Sequence, residues 1–457
     1  MNIKHSLNNV KTKDLLLFIL LFVLTFSIII KRNVSNYDEL WNYSFAQNIK
    51  NGLIPYKDFN MIQMPLLPII NGLVLKLTID NLLIMRICGA LLSAAIMFMI
   101  YKILKHINVS KNNITISLIL IGLITQNVFY NDYNMATLLM VLLIIYNELK
   151  EKPNDILIGI FAGISLCLKQ TSGVVIILST LLINKNKNIK KRILGISIPT
   201  MLIFFYILLS GALRDFIDYA IIGAKDFHNS ISYFELFKFN YIELLALLLP
   251  LILIYSFTKI KDKTNYIILI YSLSLLVIIY PIADEVHFLN AIIPVIILFI
   301  YHVHKKIKID FKLFNVLVYT FIGIVLYLNY GFYYYSYKSN LKHFKYIPFY
   351  EGLENNIKVI DNYIVNNKYK VLILDPSAVT YMIPIDRYDK NYNMLLKGNL
   401  GSNSYEKITK EINNNKNIRY LIRNNEDNWQ IPKDIISFTK KNKKKIDEIG
   451  VYDVYGD

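Results

Sequence analysis

The residues of this chain best placed to do chemistry are ionisable groups set against long apolar runs. Asp38 and Glu39 follow Tyr37 in a stretch, Ser35 to Pro68, that is too polar to cross a bilayer. Lys169 stands in C-L-K-Q-T between two short apolar segments, and Asp132 lies in Y-N-D-Y-N. Asp284, Glu285 and His287 occur in P-I-A-D-E-V-H-F, just ahead of another apolar run. Charged groups in or beside a bilayer are costly to keep, so each is a functional candidate. Each also has a plainer role. Asp38 can cap a helix with Glu39 near the positive dipole end, and Asp132 and Asn134 can cap another. Lys169 can snorkel to the interface, and His287 can cap a helix. Tyr37, Trp41, Tyr43, Tyr56, Phe59 and the aromatics from Tyr330 to Tyr337 suit an interfacial belt.

Composition supplies the setting. The chain has 457 residues, 54% hydrophobic and 18% charged, with a mean hydropathy of +0.39. Those values describe a polytopic membrane protein. The net charge of +17 sits mostly in short loops between apolar runs, as on a cytoplasmic face. No basic face is interleaved with stacking aromatics, so nucleic acid is not an expected partner. The two cysteines, Cys88 and Cys167, both fall in apolar runs, which excludes a disulfide framework and a Cys-based metal site.

Lys4, Lys11 and Lys13 precede an apolar run, Leu15 to Ile30, with no small-residue cleavage site after it. It reads as a retained first span with the N-terminus inside. Leu66 to Leu77 is short of the ~20 residues a crossing needs, so it reads as an interfacial helix in a first outer loop, 31–81. That choice puts Lys102 to Lys111, Lys150, Lys152, Lys185 to Arg192, Lys259 to Lys263 and Lys305 to Lys312 on one inner face. About eleven spans follow, near 15–30, 82–101, 114–130, 133–149, 156–168, 171–183, 193–210, 241–258, 264–280, 288–303 and 313–330. The two short ones around Lys169 suit broken or tilted helices. A second outer loop runs from Gly211 to Asn240, and no internal repeat is visible.

The character changes near Lys338. Strand-length runs at Val371–Asp375, Arg419–Ile422 and Gly450–Tyr455 alternate with amphipathic stretches at Gly352–Val365, Tyr405–Asn414 and Lys433–Lys441. The fold class expected is an all-α polytopic membrane domain, 1–337, followed by a small extracytoplasmic α/β domain, 338–457. The charge run Lys440 to Lys445 reads as a solvated helix end.

This organisation resembles the GT-C class of integral-membrane glycosyltransferases, the superfamily of protein O-mannosyltransferases and the aminoarabinose transferase. The similarity runs from about Lys11 to Tyr335. It rests on Asp38–Glu39, G-L-I-P-Y-K-D-F, M-P-L-L-P, Lys169 in L-K-Q-T and the His287–Pro294 segment, in that order.

The resemblance implies a sugar donor on a polyprenyl phosphate and an extracytoplasmic glycan, lipid or protein acceptor. Asp38, with Glu39 beside it, would serve as general base, and Lys169 and His287 would hold the donor phosphate. Tyr37, Asp58, Gln63, Asp132, Tyr133, Asn134, Gln170, Asp284 and Glu285 would line the substrate pocket. The enzyme would work in the cell membrane, among its lipids. The aminoarabinose transferase type has an acid–Lys–Pro sequence where this chain reads Gln63-Met64-Pro65. A divalent metal is therefore left open, and no other cofactor is expected. The alternatives are a transporter or flippase of a lipid-linked glycan, or a non-catalytic envelope scaffold.

Overall fold

The structure is a computed structural model. It describes residues 2–34, 37–183, 188–224, 231–238, 240–306, 337–349, 352–367, 369–389, 399–423 and 431–457, with 316, 319–320, 323 and 395. The first part is helical. In order come α1 (Asn2–Ile29), α2 (Tyr37–Lys50), α3 (Leu66–Leu77), α4 (Leu82–His106), α5 (Lys111–Asn127), α6 (Asp132–Glu148) and α7 (Asp155–Leu168). Then follow α8 (Gln170–Ile183), α9 (Ile189–Leu209), α10 (Leu213–Phe216), α11 (Asn240–Thr258), α12 (Lys263–Leu276), α13 (Glu285–Ala291) and α14 (Ile293–Lys306).

Each of the ten spans expected between 15 and 303 falls on a helix; the one expected at 313–330 lies almost wholly outside the described residues, as do the aromatics from Tyr330 to Tyr337 except Tyr337 itself. Among the described residues, three helices are long and apolar enough to cross a membrane: Thr12–Ile29, Leu82–His106 and Ile189–Leu209. The pair Glu285–Ala291 and Ile293–Lys305, bent by 45°, makes a fourth if it is one span. The remaining apolar helices are shorter, α3, α7 and α8 among them.

The chain divides into two compact units. The first holds residues 1–31, 86–203 and 230–334. Its core is one continuous aliphatic cluster, from Leu21 through Ile100, Leu138 and Ile176 to Ile297. Large apolar side chains also point outward, including Leu16 and Leu20 on α1, Leu178 on α8, Leu202 on α9 and Leu251 on α11. An apolar exterior of that extent suits hydrocarbon as its solvent. Small residues set the closest helix approach. A Cβ on Gly159 of α7 would lie 2.2 Å from the Arg192 carbonyl oxygen, and one on Gly195 of α9 2.2 Å from that of Ile156. Such crossings need glycine, as in membrane bundles.

Polar groups gather at one end of this unit. Lys102 Nζ near the end of α4 meets Asp14 Oδ2, 2.9 Å away, on α1 just before its apolar run begins, so those parts of the two helices lie side by side. A cavity of about 540 Å³ is shared by His106, Leu149, Thr264, Tyr301 and Lys305. The loops expected on the inner face therefore converge.

Arg192 is buried there, 2% exposed, and reaches both oxygens of Glu148 at 2.6 and 3.0 Å. Its Nε donates to Asp155 at 2.8 Å, and Nη1 also donates to the Thr180 carbonyl oxygen. Removing one partner of a buried pair strands the other charge at a cost of about 3–5 kcal/mol. Arg192→Met is expected to lose that much stability, read as a lower unfolding midpoint in detergent. The double variant with Glu148→Leu should recover part of it. Parent-like unfolding of the single variant would mean the pair ties nothing together.

The second unit is assembled from three separated stretches, 32–85, 204–229 and 335–457. Its sheet comprises β3 (Lys370–Ile373), β4 (Ile418–Arg423), β5 (Lys444–Ile449) and β6 (Tyr452–Gly456), after a short antiparallel pair, β1 (Tyr337–Lys338) and β2 (Pro348–Phe349). The order is β3-β4-β6-β5, with β3 and β4 parallel and the other neighbours antiparallel. Helices α15 (Leu353–Asn366), α16 (Ala378–Met382), α17 (Ser404–Asn414) and α18 (Lys433–Asn442) accompany it. The Lys440–Lys445 run differs from its expected form: α18 stops at Asn442 and Lys444 opens β5. Lysines there are compatible with a strand because β5 is a sheet edge, where charge blocks pairing with other chains.

In the same unit Asp80 ties the first loop together. It accepts hydrogen bonds from Lys50 Nζ, Tyr43 Oη and Gln47 Nε2 at 2.8, 2.8 and 3.1 Å. Burial pushes its carboxyl up, but the bonds from Lys50 and Tyr43 and the nearby His343 outweigh that and hold it below the ordinary range. A carboxyl depressed in the folded state stabilises above its unfolded pKa, ~3.9, and loses that contribution as pH falls through the folded value. Asp80→Asn is therefore expected to lower the thermal midpoint at neutral pH, with the gap to the parent closing in acid. A gap independent of pH would remove the charge from the account.

Candidate active site

Helix α2 begins at Tyr37, so Asp38 and Glu39 both occupy its first turn. Asp38 is thus inside the helix and not its cap; residues 35–36 lie outside the described part. Both carboxylates stand where the helix dipole favours negative charge. Glu39 is buried, 6% exposed, whereas Asp38 is half-buried. The Tyr37 ring lies 5.7 Å from that of Trp41 on the next turn.

The G-L-I-P-Y-K-D-F segment folds as a compact turn. Asp58 Oδ2 accepts from the Ile54 amide at 2.8 Å, and Asp58 N donates back to the Ile54 carbonyl oxygen. Asp58 therefore organises the backbone here. Tyr56, in the left-handed region at φ 68°, donates to the Gln63 carbonyl oxygen at 2.6 Å. The Gln63 side-chain oxygen is buried without a hydrogen-bond partner among the described residues. An orphan acceptor costs about 1–3 kcal/mol, so it is well placed to receive a ligand donor.

In the first unit, Lys169 is the single residue between α7 and α8, with extended backbone (φ −145°, ψ 113°). The two helices pack on each other closely enough that a Cβ on Gly173 would lie 2.3 Å from the Leu166 Cα. Lys169 Nζ donates to Asn134 Oδ1 at 2.7 Å. Asn134 comes from the first turn of α6, whose cap is Asn131, accepting from the Asn134 amide. Asp132 thus opens the helix instead of capping it, and the Tyr133 hydroxyl is buried without a hydrogen-bond partner among the described residues. Gln170 starts α8.

Helix α13 packs against α6 and brings the third motif. Asp284 caps it, accepting from the His287 amide at 2.8 Å and pairing with His287 Nδ1 at 2.7 Å. Burial pushes the Asp284 carboxyl up, but the His287 hydrogen bond and charge prevail and hold it low. Asp284 therefore fixes the orientation of the imidazole. Glu285 follows in the first turn.

Tyr37, Asp38, Glu39, Asp58 and Gln63 belong to the second unit, and the other candidates to the first. Sequence spacing missed the Lys169–Asn134 pair, because a contact 35 residues apart leaves no periodic signal. It also missed Asn131 as cap, although Asn before an apolar helix is a recognised start signal. Among the described residues, no group of three or more His, Cys, Asp or Glu side chains is disposed to hold a metal ion.

No protein-family model and no curated protein matches the sequence. Among solved structures, the crystal structure of ArnT from Cupriavidus metallidurans bound to undecaprenyl phosphate is similar, with a TM-score of 0.59. The match covers 96% of this chain and 97% of that one, at 10% sequence identity. The chain has the ArnT fold. That fold agrees with the GT-C-like architecture expected from the order of the motifs. At 10% identity the likeness speaks for the fold alone.

Proposed function

We propose that this protein is a membrane glycosyltransferase that moves a sugar from a polyprenyl-phosphate donor to an extracytoplasmic acceptor. The observation that carries the reading is the ArnT fold over nearly the whole chain, because the ArnT structure holds undecaprenyl phosphate. In the step envisaged, an acceptor hydroxyl oxygen attacks the anomeric carbon while the carbon–oxygen bond to the donor phosphate breaks. Asp38 takes the hydroxyl proton. The phosphate leaves with the electron pair, and Lys169, steadied by Asn134 and helped by His287, offsets its growing charge. One displacement inverts the anomeric centre.

The proposed topology has the N-terminus inside and the C-terminal α/β segment outside. The Asp14–Lys102 pair supports it, because it sets the basic flank of the first apolar run beside the basic end of α4, the two stretches proposed to face inward. Mass spectrometry of surface glycans and glycolipids from a deletion strain beside its complemented parent tests the function. A missing hexose or pentose is expected, and an unchanged profile would defeat the proposal.

A further inference from the structure

The second unit contains a cavity of about 410 Å³, within the ~300–1,000 Å³ typical of small-molecule sites, that the transfer step does not use. Gln47, Asn48, Lys50 and Asn51, at the end of α2 and just past it, form one side. Asp80, Lys342, His343, Asp386 and Tyr388 contribute elsewhere. At ~1.5 Å per helical residue, the lining residues of α2, from Ser44 to Lys50, stand roughly 9–18 Å along the helix from Asp38. Asp38 is not among the cavity's lining residues.

Its charges cancel. Lys50 pairs with Asp80 at 2.8 Å and Lys342 with Asp386 at 3.6 Å. A cavity whose cations and carboxylates are already matched has no surplus to offer a phosphate or an ammonium. It does offer hydrogen bonds. The His343 side chain is 3% exposed, and its Nδ1 lies 3.2 Å from the Asp80 carbonyl oxygen. Nε2 stands 3.9 Å from Asp386 Oδ2 and has no hydrogen-bond partner among the described residues, so it can meet a hydroxyl as donor or as acceptor according to its tautomer. Asn48 and Asn51 each carry side-chain amide donors and an acceptor, and the Gln47 amide, which donates to Asp80, adds its oxygen. Tyr388 adds a ring on which an apolar C–H face can rest.

We infer that this cavity binds a neutral saccharide unit of the acceptor. Vicinal hydroxyls need adjacent donors and acceptors without net charge, and His343 Nε2 is left with a hydrogen bond to make. This rests on the transfer reading for the word acceptor, but not for the binding itself.

Full-length protein in detergent micelles, incubated with an array of short neutral, uronic-acid and sulfated oligosaccharides, tests it. The parent is expected to retain neutral glycans. Asn48→Ala with Asn51→Ala, on the cavity rim, should lower retention about tenfold. His343→Phe, which keeps a planar ring and removes both ring nitrogens, should do the same. Asp38→Asn should bind as the parent does. Retention no higher than that of empty micelles, a preference for acidic glycans, or parent-like binding by both cavity variants would overturn the inference. Should the array behave as expected while Asp38→Asn still transfers sugar in cells, the catalytic reading fails and the saccharide site stands. Loss of glycan retention in Asp38→Asn would also overturn it, by merging the cavity with the catalytic region.

Discussion

Asp38→Asn is expected to lower sugar transfer by about 10²–10⁴-fold, the usual contribution of a positioned general base. The amide keeps the shape and size of the carboxylate but cannot accept the acceptor's proton. Insertion and folding should hold, because Asp38 is half-buried in a first turn that also carries Glu39. A Glu39→Gln control separates the two. Glu39 is 6% exposed, so its loss should be felt in stability before chemistry. Transfer is read as labelled sugar passing from a polyprenyl-phosphate donor to membrane acceptors, and parent-level transfer by Asp38→Asn would remove that residue from the mechanism.

Lys169→Met should reduce transfer by about 10²–10³-fold, the scale seen when one electrostatic contact to a developing charge is lost. Methionine preserves most of the apolar stem while deleting the ammonium. The loss should fall mainly on the turnover rate, because the charge it answers grows as the phosphate departs. Asn134→Ala, which removes the 2.7 Å hydrogen bond holding the ammonium, should fall between parent and Lys169→Met. Equal activity in all three would show that the pair serves packing alone. Thiol labelling of single cysteines at 38 and 169 gives a further check: both must react from the non-cytosolic side.

Helix positions were readable because each apolar run is long and punctuated. Ten expected spans and three expected C-terminal helices fall on helices, although α1 begins at Asn2, well before its expected span, and the last of the ten is split between α13 and α14. The short lengths of α7 and α8, 14 residues each, were readable as well. Sequence showed the two stretches were short, but not that they pack closely around Gly173. Strand β5 was hidden because KKIDEI has no apolar alternation; only its pairing with β6 makes it a strand. The site was legible as residue types and not as partners. Asp284 and His287 are three residues apart and share a helical turn, so their pairing follows from local geometry. Asn134 and Lys169, or Tyr43, Asp80 and His343, are joined by tertiary packing, which no local spacing announces.

The three-part build of the second unit has a consequence for synthesis. Tyr43 Oη lies 3.3 Å from His343 Nδ1 across 300 residues of chain. Closing so distant a contact carries a heavy entropic delay. While the ribosome is still making the middle of the protein, α2 and Asp80 must therefore wait with their late partners absent. Any nascent chain halted before His343 would expose that half-built surface to proteases and chaperones, and full-length product should become protease-resistant in one late step.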